Sequence, residues 1–167
     1  MRPEMVSDLK IVERLTGDAT TDFGAPSIAP AADARPFTDR DLDRQVRILR
    51  ASWRALDRAA DAAEGVELTK GPRGGGRELP AIVGHVVGAE ASYARRILAK
   101  TPAVDGVDAV AARDDVREAA VEALERAATG DLPERGPRGG KLWSARYFVR
   151  RAAWHVLDHA WEIEDRS

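Results

Sequence analysis

Apolar residues recur at alternating spacings of four and three in four separate stretches of this chain, and that period belongs to the helix. The first stretch holds Leu42, Val46, Leu49, Trp53, Leu56 and Ala60. Thr38 caps it, Asp41 stands at the capping-box position, and the helix is expected to end near Gly65. The second opens near Leu79-Pro80, with proline where its missing N–H costs nothing. It continues through Ile82, Val83, Val86, Val87, Tyr93 and Ile97 and ends before Pro102. The third carries Val116, Ala120, Leu124 and Ala127, and Gly130 with Pro133 ends it. The fourth runs from Leu142 or Ser144 to Asp165. Phe148, Ala152, His155, His159 and Ile163 form one stripe on it, and Tyr147, Trp154, Leu157 and Trp161 a second, so packing on two sides is expected. Four such helices predict an all-α four-helix bundle.

The remainder is loop or arm. Residues 1–37 read as an N-terminal arm of irregular structure and residues 38–167 as the bundle. Leu9 to Leu15 is compatible with a short strand or a helical turn, and Gly17 to Pro36 reads as irregular chain. The arm is expected to lie on the bundle or on a second subunit. Two basic glycine-rich loops, 71–77 and 136–140, follow helices, not strands, and lack a P-loop ending, so phosphate binding is a weak expectation. Segment 101–113 is either a long connection or an early start to the third helix.

Composition narrows the function. The net charge of −2 argues against a nucleic-acid surface. No cysteine is present, which removes disulfides, thiolate ligands and a cysteine nucleophile, so any thiol must come from outside. Glu4 and Asp8 interrupt the N-terminus and no run is long enough to span a membrane, so the expected location is the cytoplasm. The abundance of Ala, Arg, Asp and Glu resembles a high-GC bacterial coding style.

The chain has three histidines. His155 and His159 are four apart on the core stripe of the last helix and so share a face. His85 lies in the second turn of the second helix, roughly 9 Å from its start, and His159 lies roughly 9 Å from the end of the last helix. If those helices run antiparallel, the three imidazoles meet near one end of the bundle. A parallel arrangement would separate His85 from His159 by roughly 13 Å in depth. The spacing therefore favours an up-down-down-up course, with segment 101–113 as the crossover. Three imidazoles can hold a divalent ion and leave a coordination position open. Each histidine alone reads more readily as a hydrogen-bonded core side chain, but an unpaired imidazole on a core stripe costs desolvation energy that an ion removes.

Glu162 follows His159 by three and is either an acceptor for a histidine N–H, a fourth ligand, or a solvated charge. Val156 stands where an H-E-x-x-H protease carries its general base, so a peptidase of that kind is not expected. Arg151 precedes His155 by four and suits a carboxylate-bearing substrate. Arg95, Arg96, Arg146 and Arg150 read as surface charge, and Tyr93 and Tyr147 as core residues.

Two segments carry a family resemblance: Glu78 to Leu98, where a histidine precedes a glutamate and a tyrosine, and Lys141 to Arg166, tryptophan-led with an H-x-x-x-H pair. They resemble the DinB-like (DinB/YfiT) superfamily of four-helix-bundle metalloenzymes over about residues 40–166. The resemblance implies that His85, His155 and His159 ligate nickel, zinc or iron, and that the bundle is up-down-down-up and frequently dimeric. It implies a thiol S-transferase using a low-molecular-weight thiol such as bacillithiol, mycothiol or glutathione. Many members have no known activity, and the likeness does not reach the second domain of a mycothiol-dependent isomerase. Two readings stay open. One is a metal-dependent thiol transferase with a small-molecule substrate, Arg151 and Glu162 assisting. The other is a non-enzymatic, metal-bound dimeric bundle with a structural or interaction role.

Overall fold

Thr38 opens the first long helix as its sequence predicts: its hydroxyl accepts from the Asp41 amide while the Asp41 carboxylate accepts from the Thr38 amide at 3.1 Å. The computed structural model describes residues 10–70, 76–104 and 109–167. Within them run α1 (Ala19–Asp22), a 3-10 turn (Ala31–Ala34), α2 (Asp39–Ala62), α3 (Leu79–Arg95), α4 (Arg113–Ala128) and α5 (Ala145–Arg166). Among the described residues there is no strand, only an isolated bridge between Arg135 and Lys141. Among the described residues no helix is long and apolar enough to cross a membrane.

Cross-contacts give the directions. Asp41 at the start of α2 pairs with Arg146 at the start of α5 at 2.7 Å, and Thr69 beyond α2 bonds to Arg166 at the end of α5, so α2 and α5 are parallel. Trp143, just ahead of α5, donates its amide to Arg96 just after α3, so α3 runs antiparallel to α5. Arg117 in the first turns of α4 meets Asp57 late in α2, and Arg126 near the end of α4 bonds the Leu98 carbonyl beyond α3. Hence α4 runs with α3 and against α2. The course is up-down-down-up, and around the bundle the order is α2, α5, α3, α4. The core between them is filled by Leu49, Leu56, Ile82, Leu124, Phe148 and Ile163, all fully buried.

Three expectations need correction. Gly17 to Pro36 is not wholly irregular: Asp18 and Thr21 form a capping box that nucleates the single turn α1, a local signal at the spacing the rule requires. Trp161 at the end of the second apolar stripe of α5 is 60% exposed, because no described element packs over that end. Arg146 and Arg150 are not idle surface charge. Arg150 grips the buried Asp33 at 2.7 and 3.2 Å, and Arg146 donates to the carbonyls of Arg35 and Pro36 at 2.6 and 2.9 Å. With Tyr147 donating to the Ser27 carbonyl at 2.8 Å, they tie the described part of the arm to the first turns of α5 of its own chain. Segment 71–75 of the first glycine loop, Leu9 and residues 105–108 of the crossover lie outside the described residues. The second glycine loop is a tight reversal in which the Gly139 amide bonds the Gly136 carbonyl, with Gly139 at φ +77°.

One buried acid stands apart from the histidines. Glu90 of α3 is 4% exposed; it accepts from the Trp53 indole N–H, and its Oε2 has no partner. The Arg117 guanidinium lies over the Trp53 ring at 5.3 Å and is itself paired with Asp57 at 2.8 and 2.9 Å. Burial pushes the Glu90 carboxyl up from 4.5 to about 7, against the pull of the Trp53 hydrogen bond and the Arg117 charge. The folded pKa is raised, so the stabilising contribution of the neutral acid is complete below pH 4.5 and is lost as pH rises to about 7. That loss is on the order of 3 kcal/mol. Glu90→Gln keeps an acceptor for Trp53 and removes the titration. Its melting temperature relative to the parent is expected to rise between pH 5 and pH 8; a constant difference would contradict the account.

Candidate metal centre

His155 and His159 reach one face of α5 because they are four apart, and α3, antiparallel, delivers His85 from its second turn. The ring centroids of His85 lie 5.2 Å from His155 and 5.0 Å from His159, and those of the α5 pair lie 4.6 Å apart. One nitrogen from each ring falls within 4.8 Å of the other two. His155 and His159 are buried, 7% and 9% exposed, whereas His85 is exposed. The cluster thus has two rings rooted in the core and one at the surface.

The site's electrostatics keep lone pairs free. Burial, reinforced by the charges that His159, His85 and Arg151 can carry, pushes His155 down to about 3. Burial and the positive charge of Arg77, just ahead of α3, lower His85. At neutral pH these two rings are therefore uncharged.

Glu162 sits beside His159, with Oε2 2.7 Å from Nδ1. Its other oxygen accepts from Arg166 Nη1 at 2.8 Å, and Arg166 Nε donates to the Thr69 carbonyl at 2.8 Å. Burial alone would raise the Glu162 carboxyl, but the bonds from His159 and Arg166 outweigh it and hold it below the usual value. An ionised carboxylate only accepts, so His159 Nδ1 carries a proton and Nε2 is the nitrogen left to face an ion. Of the alternatives open for Glu162 in the sequence, the geometry matches the acceptor.

These residues fit a divalent ion. His155 Nδ1 is buried with no hydrogen-bond partner, a polar atom whose desolvation nothing among the described residues offsets. A tetrahedral ion with bonds of about 2.0–2.1 Å sets its nitrogens about 3.3 Å apart, so the rings need to close by at most about 1.5 Å. Three neutral imidazoles suit several transition ions, nickel, zinc and iron among them.

The structure brings His85, His155, His159 and Glu162 together. Arg151 stands one turn before His155, its guanidinium over the rings of Tyr93 at 5.5 Å and Trp154 at 5.2 Å. Tyr93, expected in the core, is half-buried and meets His155 edge-on at 5.7 Å between ring centres. Tyr147 is a core residue as expected. Val156 is fully buried. Sequence reasoning missed Arg166, although its position four after Glu162 is the spacing of a helical ion pair. It also missed Arg77, for which the sequence offers no signal beyond a basic loop.

Glu162→Gln should weaken zinc affinity about 10–100-fold, the usual effect of losing a carboxylate behind a ligand histidine. Competition against a chromophoric chelator measures this, and an unchanged affinity would remove Glu162 from the site.

Comparison with curated proteins and with solved structures finds no match. A model of the DinB superfamily matches residues 48–163, which span most of α2, the whole of α3 and α4, and α5 through all but its last residues. With the three histidines inside the matched region and on the helices that bring them together, the chain belongs to the DinB superfamily.

Proposed function

We propose that the protein is a metal-dependent transferase that activates a low-molecular-weight thiol at the three-histidine cluster. The observation behind this reading is the asymmetry of the cluster: two rings buried in the core and His85 exposed, so that a bound ion has an approach from solvent. A structural ion is usually closed off by four protein ligands. Held there, a divalent ion supplies a Lewis-acid position that lowers the pKa of an entering thiol.

The chain's own residues do the rest. His155 and His159 set the direction of two donor nitrogens from one rigid helix face, and His85 adds the third from α3. Glu162 holds the proton of His159 on Nδ1 and is itself held by Arg166 and, through it, by the loop after α2. Val156 stands where an H-E-x-x-H helix carries its base, and the Glu162 carboxylate is engaged by His159 and Arg166, which favours a reaction whose nucleophile needs only a lowered pKa. The transfer forms an S–C bond and breaks the bond from that carbon to the leaving group, which departs with the electron pair. The thiol proton passes to solvent.

A second reading, a metal-stabilised bundle that binds a partner, draws on the exposed apolar side chains Val12, Phe23 and Trp161, which are 87%, 84% and 60% exposed.

Protein loaded with zinc, nickel or iron(II) is to be screened with glutathione, bacillithiol and mycothiol against monochlorobimane. The expected result is a conjugation rate at least tenfold above background with one thiol, abolished by metal removal and by His85→Ala. No thiol accelerated over metal-free protein would overturn the enzyme reading.

A further inference from the structure

α5 carries four arginines, and three of them are satisfied. Arg146 pairs with Asp41, Arg150 with Asp33 and Arg166 with Glu162, each at 2.7 or 2.8 Å. Arg151 makes no hydrogen bond and no ion pair among the described residues, and its Nη1 is buried without a partner. The cation rests instead on the faces of Tyr93 and Trp154. Ring faces attract the charge but satisfy none of its in-plane N–H donors, so the guanidinium is held in place with its hydrogen bonds unspent.

Its position gives this meaning. One helical turn on, His155 Nδ1 is also buried and unpartnered. Tyr93 touches both residues, lying beneath the guanidinium and edge-on to the imidazole. Two of the unsatisfied buried side-chain atoms thus flank one aromatic ring on the α3-facing side of α5. A planar fork of donors clamped between rings matches a carboxylate, which accepts two parallel N–H bonds.

We propose that Arg151 is the anion subsite of the centre and binds a carboxylate of the substrate about 6 Å along the helix from His155. This rests on the reading of the histidine cluster as a substrate site and deepens it by naming the substrate class: one of the two reactants is a carboxylate. Either the thiol or the electrophile can supply that group.

Metal-stripped protein is titrated with benzoate and with its neutral isostere benzamide, followed through the Arg151 Nε–H resonance. Saturable benzoate binding that shifts this resonance is expected, with benzamide at least tenfold weaker. Arg151→Gln should lose the preference and Arg151→Lys should retain part of it, while both keep the metal content of the parent. Equal binding of benzoate and benzamide, or an unchanged preference in Arg151→Gln, would overturn the proposal. If His85→Ala protein holds no metal and still prefers benzoate, the subsite stands. If the parent protein takes up no metal, the function reading fails separately from it.

In metal-loaded protein, 3-mercaptopropionate is compared with 3-mercaptopropanol, and iodoacetate with iodoacetamide. In each reaction sulfur displaces iodide, which leaves with its electron pair, and the thiol proton goes to buffer. A KM difference within one pair that Arg151→Gln abolishes identifies the reactant that bears the carboxylate; no difference in either pair would overturn the proposal.

Discussion

Two imidazoles four residues apart on the core stripe of α5 set the terms for this end of the bundle. A buried imidazole without partners costs desolvation energy, and here two must be accommodated together. The structure answers with a third ring from α3, a carboxylate behind His159, and an arginine that ties the carboxylate to the loop after α2. His155 Nδ1 is the one nitrogen of the cluster that is both fully buried and without a partner among the described residues. One nitrogen from each ring lies within 4.8 Å of the other two, an arrangement that suits a cation. The antiparallel crossing of α3 and α5 fits the same requirement, since a parallel pair would leave His85 roughly 13 Å too far along the bundle.

The histidine cluster and the surroundings of Glu90 are two zones of polar burial that share no residues. The histidine cluster lies between α3 and the C-terminal half of α5. Glu90, Trp53, Arg117 and Asp57 lie among α2, α3 and α4. In the first region two buried rings meet a third, His85, that is exposed to solvent. In the second the side chains turn inward, with an acid that burial pushes up to about 7 and an indole as its donor. The first suits binding and the second suits specifying how three helices pack. The arm adds a third polar zone, in which three side chains from the first turns of α5 hold the chain between Ser27 and Pro36.

How much of this was legible in the sequence depends on the range of each interaction. The stripes of α2 to α5 were readable because burial repeats with the helical period. The Thr38–Asp41 box was readable because it is local. Matching the depths of His85 and His159 along their helices indicated both the cluster and the up-down-down-up course. The Asp18–Thr21 box was equally local but lay among glycines and prolines that pointed to irregular chain. Trp53 with Glu90, and Arg150 with Asp33, are separated by 37 and 117 residues and have no periodic signature. Tyr93 read as core because an aromatic on an apolar stripe looks the same whether its neighbour is leucine or a histidine ring.

The central claim is that the three histidines hold one divalent ion. Elemental mass spectrometry of protein purified without an affinity tag, alongside His159→Ala, tests it most directly. About one equivalent of nickel, zinc or iron in the parent and almost none in the variant is the expected result. No metal in the parent, with none taken up when these ions are added, would contradict it and leave a helical bundle with three clustered imidazoles and no ion to join them.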